Sequence, residues 1–461
     1  MAIIPKMHEI NNTLHKSFSN FAQRFHLSRI LWSVGAAKEK GVSAFAVFMF
    51  VFSLVFTGKN LYQVTALSKD KPAFGKDVTY RFLDQPSVHW EAIVQRLSVD
   101  VIAEIDTLTS KERKTALIID DTSYWRNRST KVELLSWCWD HSQNRHYKGF
   151  TMLNLGWSDG QTFVPIDFKM LASGDDKKVI CPSDMPVDHR TRATKRRIDA
   201  QTDKPTHVLK MLHAVKGTPA QTKHVLFDSW FASPSAILDI KALGYDVVCR
   251  VKNHENHRYL YNGEALSISK IYKANKKRPG RAKYLLSVDV QVRHKEYDKT
   301  IPAKLVYVRN RNTKQWLALL STDTTLTEEE IIALYGKRWD IEPFHKVLKS
   351  NLRLAGEFQI RSFDAIVAHT AVVLARYIYL ALENRNCKDE RTLGALFFFI
   401  SEELEDISFA FAMRLVLETL QQHLNDFLHL AKSQILTFVE QFIKGLPGYI
   451  KEKMELGVCE S

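Results

Sequence analysis

Two short apolar runs that each lead into aspartate constrain the fold of this chain more than any other feature. The first, "TALIID", covers Thr115–Asp120 and is followed by Asp121, while the second, "HVLF", covers His224–Phe227 and is followed by Asp228. Each run has the length and composition of a buried strand. The second leads into a helical segment, "PSAILDIKALG", and then another apolar run, "YDVVCRVK". This order predicts a parallel strand pair with a right-handed crossover, and acids at the carboxyl ends of the strands.

The rest of the chain divides around this predicted α/β core. Apolar residues recur at helical spacing before it, alternate as in β-strands after "YDVVCRVKN", and return to helical spacing beyond Thr327. "FTMLNLGW" and "QTFVPIDF" predict a β-hairpin that turns at Asp159–Gly160. We predict five segments: a helical N-terminal domain (1–105), the first part of the core (106–252), a β-rich insertion (253–326), the second part of the core (327–385) and a C-terminal helical region (386–461).

The segment "YGKRWDIEPFHKVLK" predicts an amphipathic helix in which one acid lies among several cations. "TEEE", from Thr327, is a typical helix start. Apolar residues that recur every seven positions indicate a packed seam, formed by Leu334, Ile341 and Leu348. Spacings of three and four bring a second set near one face, namely Tyr335, Arg338, Glu342, Lys346 and Lys349. Taken alone, this pattern favours a solvated helix surface with salt bridges.

Asp121, Asp228 and Glu342 are the candidate catalytic and metal-binding residues. They are far apart in sequence, but acids at the carboxyl ends of parallel strands lie where such sheets bind ligands. Converging carboxylates need cations between them, and hard divalent ions prefer oxygen ligands. We therefore expect two Mg²⁺ ions, for which Mn²⁺ can substitute, in a site for phosphodiester chemistry. The alternative for each aspartate alone is a turn or helix-capping residue.

Charge and cysteine content narrow the class of protein. The 461 residues carry a formal net charge of +14, which suits a polyanionic partner because neutralised phosphates release counterions. Five scattered cysteines form no CxxC pair, so the sequence indicates neither a disulfide framework nor a structural zinc site. The N-terminus lacks the residue order of a signal peptide, and we expect a cytoplasmic protein.

The uncharged segment Val42–Gly58 is at the short limit for a membrane span, which needs about 20 apolar residues. We favour a helix buried inside the N-terminal domain and expect no stable membrane association. A helix that contacts a membrane is the alternative.

Together these motifs resemble those of bacterial insertion-sequence transposases of the insertion-sequence-four group. The spacing Tyr335-x2-Arg338-x3-Glu342-x6-Lys349 matches the YREK signature of that family. "LFDSWFASPSAI" resembles its second-aspartate motif, and "IIDDTSY" resembles its first. In the first motif the catalytic acid is followed by Thr, which selects Asp121 over Asp120.

The resemblance covers residues 117 to about 361 and implies an RNase H-like DDE core with a mixed sheet, interrupted by the β-rich insertion. The implied activity is metal-dependent hydrolysis at transposon ends, followed by strand transfer into target DNA, in a cut-and-paste reaction that proceeds through a hairpin. The implied partners are double-stranded DNA, as terminal inverted repeats and target, and a second subunit, which forms a homodimer when DNA is bound. The implied location is the bacterial cytoplasm, at the nucleoid. The alternative is a non-catalytic DNA-binding regulator derived from a transposase.

Further residues are expected to contact DNA. Arg338 and Lys349 suit phosphate oxygens, and Tyr335 suits a hydrogen bond to the same backbone. The resemblance implies that Trp316 traps a flipped base, although a packed strand residue is the alternative. His345 and Lys346 are expected to add to the grip on phosphate.

Two basic runs are further candidates for backbone contact. They are "RTRATKRR" (Arg190–Arg197) and "KKRPGRAK" (Lys276–Lys283). Four tryptophans are instead expected to pack in the core: Trp125, Trp137, Trp139 and Trp157.

Overall fold

A computed structural model of the chain describes most of the sequence between residues 13 and 386. The described ranges are 13–37, 40–67, 72–110, 112–140, 143–184, 188–278, 282–294, 299–309, 315–386 and 432–445, together with six single positions between 393 and 424. Most of the predicted C-terminal helical region (386–461) and part of the basic run Lys276–Lys283 therefore lie outside the described residues.

The N-terminal part of the chain is helical, as its apolar spacing predicts. Its helices are α1 (Thr13–Arg24), α2 (Leu27–Ser33), α3 (Ala44–Leu54), α4 (Lys76–Leu83) and α5 (Trp90–Thr107). A 3₁₀ turn (Val55–Thr57) extends α3. Phe48 and Phe52 of α3 are fully buried, and Phe52 packs against Phe18, Phe21 and Tyr379. The prediction that the apolar stretch Val42–Gly58 forms a buried helix is confirmed.

All twelve strands of the described chain belong to one sheet, ordered β5-β2-β3-β1-β6-β7-β12-β11-β10-β8-β9, with β4 paired to β3. The strands are β1 (Ala116–Trp125), β2 (Leu135–Asp140), β3 (Arg145–Ser158), β4 (Phe163–Leu171), β5 (Val179–Cys181), β6 (His224–Phe227), β7 (Asp246–Val251), β8 (Arg258–Tyr261), β9 (Glu264–Ser267), β10 (Leu286–Arg293), β11 (Thr300–Arg309) and β12 (Trp316–Ser321). Only β1/β6 and β6/β7 are parallel pairs. The fold is thus mixed α/β and compatible with an RNase H-like core, which confirms the predicted fold class.

The predicted hairpin and crossover are both present. β3 and β4 pair around Asp159–Gly160, where Gly160 adopts a positive φ of 88° that favours glycine. Between β6 and β7 runs α8 (Pro234–Ala242). The remaining helices of this part are α6 (Arg192–Ala200), α7 (Lys204–Val215) and α9 (Ile268–Ala274).

The β-rich stretch after β7 continues the core sheet. β12 pairs with β7 in antiparallel orientation, and β11, β10, β8 and β9 extend the sheet outward from there. The carboxyl end of β6 therefore lies within a continuous sheet that joins the two halves of the strand-rich region.

The spacing of the segment with the acid among cations predicts one helix, but the structure divides this segment into three pieces. They are α10 (Glu328–Gly336), a 3₁₀ turn (Lys337–Asp340) and α11 (Ile341–Ser350). Pro343 explains the break, because proline has no N–H for the carbonyl four residues earlier and its ring clashes there. Proline is tolerated in the first turn of α11, where that N–H has no helical partner. The predicted capping box at Thr327 and Glu330 is present, and the seam of Leu334, Ile341 and Leu348 is buried.

The long helix α12 (Phe363–Asn386) lies at the centre of the protein. Its segment Phe363–Arg385 is the one helix of the described chain that is long and apolar enough to cross a membrane, and that segment is buried inside the fold. A last described helix, α13, covers Lys432–Gly445.

A buried ion pair joins α12 to the N-terminal helices. Arg376 is fully buried, and its guanidinium donates to Glu357 (2.7 Å) and to the carbonyls of Phe52 (2.9 Å) and Val51 at the end of α3. His369 also bonds Glu357 at 2.7 Å. Although burial raises the pKa of Glu357, the charges of Arg376 and His369 lower it to about 2.

We predict that Arg376→Met lowers the free energy of unfolding by about 3–5 kcal/mol, because it leaves the buried Glu357 charge unpaired. Urea denaturation measures this change. Arg190→Met is the matched control, since Arg190 is fully exposed and its ion pair with Asp188 is screened by solvent, so its loss should leave the free energy of unfolding nearly unchanged. Equal losses in the two variants would contradict the structural role of Arg376, whereas Glu357→Gln in the Arg376→Met background should restore part of the stability.

Candidate active site

The register of two parallel strands brings two acids together. β1 and β6 pair Ala116 with His224 and Ile118 with Leu226, a constant offset of 108 residues (224 − 116). The same offset places Asp120 opposite Asp228, and parallel partners project to the same face of a sheet. The pKa of Asp120 reflects this proximity, since the charge of Asp228 contributes to its rise.

Asp121, the acid selected from the sequence, projects to the other face because successive strand residues alternate. Its carboxylate accepts a hydrogen bond of 2.6 Å from Lys204 at the start of α7. The Lys204 ammonium also lies 4.3 Å from the centre of the Trp230 ring. Asp121 is therefore already paired with a cation.

Arg338 connects the first acid to the third. This buried side chain lies in the 3₁₀ turn before α11, and its guanidinium is 3.5 Å from Asp120 Oδ2 and 3.2 Å from Glu342 Oε1. The Glu342 side chain is 49% exposed, so its carboxylate is accessible from solvent. Asp120, Asp228 and Glu342 thus belong to one charged cluster, with Arg338 as its central cation.

Asp120 is the most perturbed acid of this cluster. Burial, then the charges of Asp121 and Asp228, raise its pKa to about 7, against the opposing effects of the Asp121 amide and Arg338. A carboxyl in this position is stabilised as an anion only if more positive charge reaches it.

The cluster offers the kind of ligand atoms that a divalent cation prefers. Asp120, Asp228 and Glu342 offer the carboxylate oxygens that Mg²⁺ prefers, and a cation there would relieve the crowding of negative charge at Asp120. Within the described chain, however, no three His, Cys, Asp or Glu side chains already stand in a metal-coordinating arrangement. Glu342 is engaged by Arg338, and Asp228 accepts a 2.7 Å hydrogen bond from the Trp230 amide.

Tyr335 and Arg250 border the second acid. Burial raises the pKa of Tyr335 to about 12, and the charges of Arg338, Asp228 and Arg250 all act on it. Arg250 is exposed on β7, and the β6/β7 register, with an offset of 22 residues (246 − 224), places it opposite Asp228. A cation that the sequence analysis did not single out therefore lies beside the acids.

The cations of α11 differ in their surroundings. Burial, with the charge of Lys349, lowers the pKa of His345 to about 3, and its neutral ring accepts a hydrogen bond from the Asn154 amide (3.2 Å). Asn154 is the ladder partner of Asp120. Lys349 donates to Ser123 at 3.3 Å, whereas Lys346 is exposed.

Trp316 is packed and also borders a cavity. Its ring stacks on Tyr272, with centroids 4.8 Å apart, and meets the Tyr307 ring edge-on. Trp316 and Tyr272 both line a cavity of about 620 Å³, which is also lined by Ser229, Arg250 and Lys252. The two alternatives from the sequence, a packed residue and a binding residue, are both compatible with this position.

The basic run Arg190–Arg197 is partly structural, and its predicted contact with DNA is wrong for two residues. Arg196 and Arg197 are buried, where both bond Asp364 and Arg197 also bonds Glu133 at 2.6 Å. A run of cations does not reveal which members face inward. The other members Arg190, Arg192 and Lys195 are exposed.

The predicted core packing of four tryptophans is correct for Trp157, which is 1% exposed. It is wrong for Trp137 and Trp139, which are 46% and 40% exposed. These two lie on β2, between the buried Ser136 and the buried Asp140.

The sequence contained a signal for Asp120 that motif matching did not use. Aligning the two apolar runs from their first strand residues, "ALIID" with "HVLFD", pairs Asp120 with Asp228, which continues the observed register of Ala116 with His224 to Ile118 with Leu226. Lys204 had no such signal, because only the fold brings the start of α7 to β1.

A comparison with known protein families found a match that covers both aspartate motifs. The family model described as DDE superfamily endonuclease matches residues 54–312, a range that includes Asp120, Asp121 and Asp228 and ends before Glu342. A comparison with curated proteins found no match. Because the family match covers more than half of the 461 residues, this chain belongs to the DDE superfamily of endonucleases.

Proposed function

We propose that this protein is a DNA transposase of the cut-and-paste type. The observation that carries the proposal is the placement of Asp120 opposite Asp228, with Arg338 joining Asp120 to Glu342, in a chain of the DDE endonuclease family. The proposed reaction is hydrolysis of a phosphodiester at each transposon end, followed by strand transfer into target DNA. The YREK spacing on α10 and α11 supports a transposase of the insertion-sequence-four type over other DDE nucleases.

In this proposal the catalytic acids are Asp120, Asp228 and Glu342. Asp120 takes the place of Asp121 in this proposal, because Asp121 is already paired with Lys204 at 2.6 Å. Asp120 instead shares its face with Asp228 and lies beside Arg338.

Asp120 and Asp228 would hold Mg²⁺, and Glu342 would join them on release from Arg338. When bound, two such ions activate the attacking water and stabilise the leaving oxygen of a phosphodiester, and Mn²⁺ can serve in their place. The protein supplies the fixed position of the carboxylates and the buried surroundings that strengthen their charge.

The cations around the acids would hold the DNA backbone. Arg338 is pre-oriented by its ion pairs and offers planar, bidentate hydrogen bonds to phosphate oxygens. Lys349, Lys346 and Arg250 add positive charge around the acids, and we call these three residues together with Arg338 the cationic border. His345 is neutral and bonded to Asn154, so we assign it to the support of α11 rather than to phosphate binding.

Two further features support contact with DNA ends. Tyr335, buried beside Asp228, would orient the backbone through its hydroxyl. Trp316 would bind a base displaced from the duplex in the adjoining cavity, which suits second-strand processing through a hairpin. Pairing of two transposon ends requires a homodimer on DNA in the cytoplasm, with the N-terminal helices as readers of the terminal repeats.

Asp120→Asn should reduce Mg²⁺-dependent nicking of supercoiled DNA by about a hundredfold or more, because it removes a charge that acts directly at the reaction. Asp121→Asn is the matched control, one residue away and with the same chemical change. Its expected effect is less than about tenfold, since Asp121 faces Lys204. The reverse order of effects would show that the sequence-selected acid is the catalytic one.

Glu342→Gln should abolish nicking while the dissociation constant for transposon-end DNA stays within about twofold, because the cationic border is intact. Electrophoretic mobility shift and nicking assays on the same preparation measure the two quantities. Parallel loss of binding and cleavage would count against a metal-ligand role for Glu342. Binding without any nicking by the wild-type protein would favour the non-catalytic regulator.

A further inference from the structure

Two exposed tryptophans form a regular array with a lysine and a histidine on the β2–β3 ladder. Trp137 and Trp139 are two residues apart and therefore lie on the same face of β2. Their ladder partners on β3 are Lys148 and His146, respectively. Directly paired residues of an antiparallel ladder project to the same face. We call these four residues the Trp–cation array.

The members of the array contact one another. The Lys148 ammonium lies 6.0 Å from the centre of the Trp137 ring, and the His146 ring meets the Trp139 ring edge-on at 4.7 Å. With 46% and 40% of their surfaces exposed, the two tryptophans keep much of their surface open to solvent. Large aromatic side chains that remain exposed in a folded protein commonly mark a contact surface.

The array lies on the same strand as a neighbour of the candidate active site. Asn154 of β3 is the ladder partner of Asp120, and six residues separate it from Lys148, which corresponds to about 20 Å at a rise of about 3.3 Å per residue. The residues between them on that face, Phe150 and Met152, are fully buried, so the array is a separate exposed surface.

The end of β2 also lies near α11. Burial lowers the pKa of Lys349, and the charge of Asp140, the last residue of β2, opposes that shift. The strand that carries Trp137 and Trp139 therefore ends close to the helix that carries Glu342.

We propose that the Trp–cation array binds an unpaired segment of the DNA substrate outside the candidate active site. This inference rests on the proposed function, since it takes DNA as the partner. Aromatic rings bind bases by stacking, and a base offers its face only when it is unstacked from a duplex. Lys148 complements the phosphates between the stacked bases, which favours a nucleic acid over an apolar partner.

The first test measures binding of fluorescein-labelled (dT)12 and of a blunt 12-base-pair duplex by fluorescence anisotropy. The Trp137→Ala/Trp139→Ala variant should bind (dT)12 at least tenfold more weakly, since each lost stack costs about fivefold or more. Its affinity for the duplex should change by less than about threefold. Trp137→Phe/Trp139→Phe should keep most of the (dT)12 affinity, because it keeps two aromatic faces and also controls for folding.

The second test separates this inference from the proposed function. Asp120→Asn should bind (dT)12 as the wild type does, while it loses nicking. Unchanged (dT)12 binding in the alanine variant, or equal loss of (dT)12 and duplex binding, would overturn the array as a stacking site. A wild-type protein that binds (dT)12 through the two tryptophans but nicks no DNA would overturn the proposed function and support the array.

Discussion

A parallel ladder of three residue pairs, from Ala116 with His224 to Ile118 with Leu226, is the constraint on which the candidate site depends. It fixes Asp120 opposite Asp228, although more than a hundred residues separate them in the chain. A slip of one residue would turn Asp120 to the other face and bring Asp121 into its place. Such a slip would also reverse the buried side chains of β1, so the hydrophobic packing of the strand protects the position of the acid.

Charge then decides how the two neighbouring aspartates differ. Lys204 neutralises Asp121, while Asp120 lies near Asp228 and accepts hydrogen bonds from the Asp121 amide (2.9 Å) and from Arg338 (3.5 Å). Burial and like charge leave Asp120 with a pKa of about 7. A divalent cation would neutralise this excess of negative charge. The break associated with Pro343 places Arg338 in a 3₁₀ turn and Glu342 in the helix that follows, and Arg338 contacts both Asp120 and Glu342.

Much of this fold could be predicted from periodicity and turn residues. The crossover, the hairpin at Gly160, the capping box at Thr327 and the buried helix α3 all follow local rules that the sequence obeys. Local rules could not predict which side chains project into the core and which into solvent, because partners from distant segments determine burial. Arg196 and Arg197 project inward and bond Asp364, whereas Trp137 and Trp139 are exposed. Asp121 stays the prediction from the motif, and the proposal of Asp120 in its place depends on strand register and on Lys204, which the motif alone does not supply.

The central claim is that Asp120, and not Asp121, forms the cation site with Asp228. Anomalous diffraction at the manganese edge, from crystals of the Glu342→Gln variant bound to transposon-end DNA and Mn²⁺, tests it most directly. The account predicts an anomalous peak within about 2.2 Å of carboxylate oxygens of both Asp120 and Asp228. A peak on Asp121, with Asp120 turned away from the ion, would contradict it.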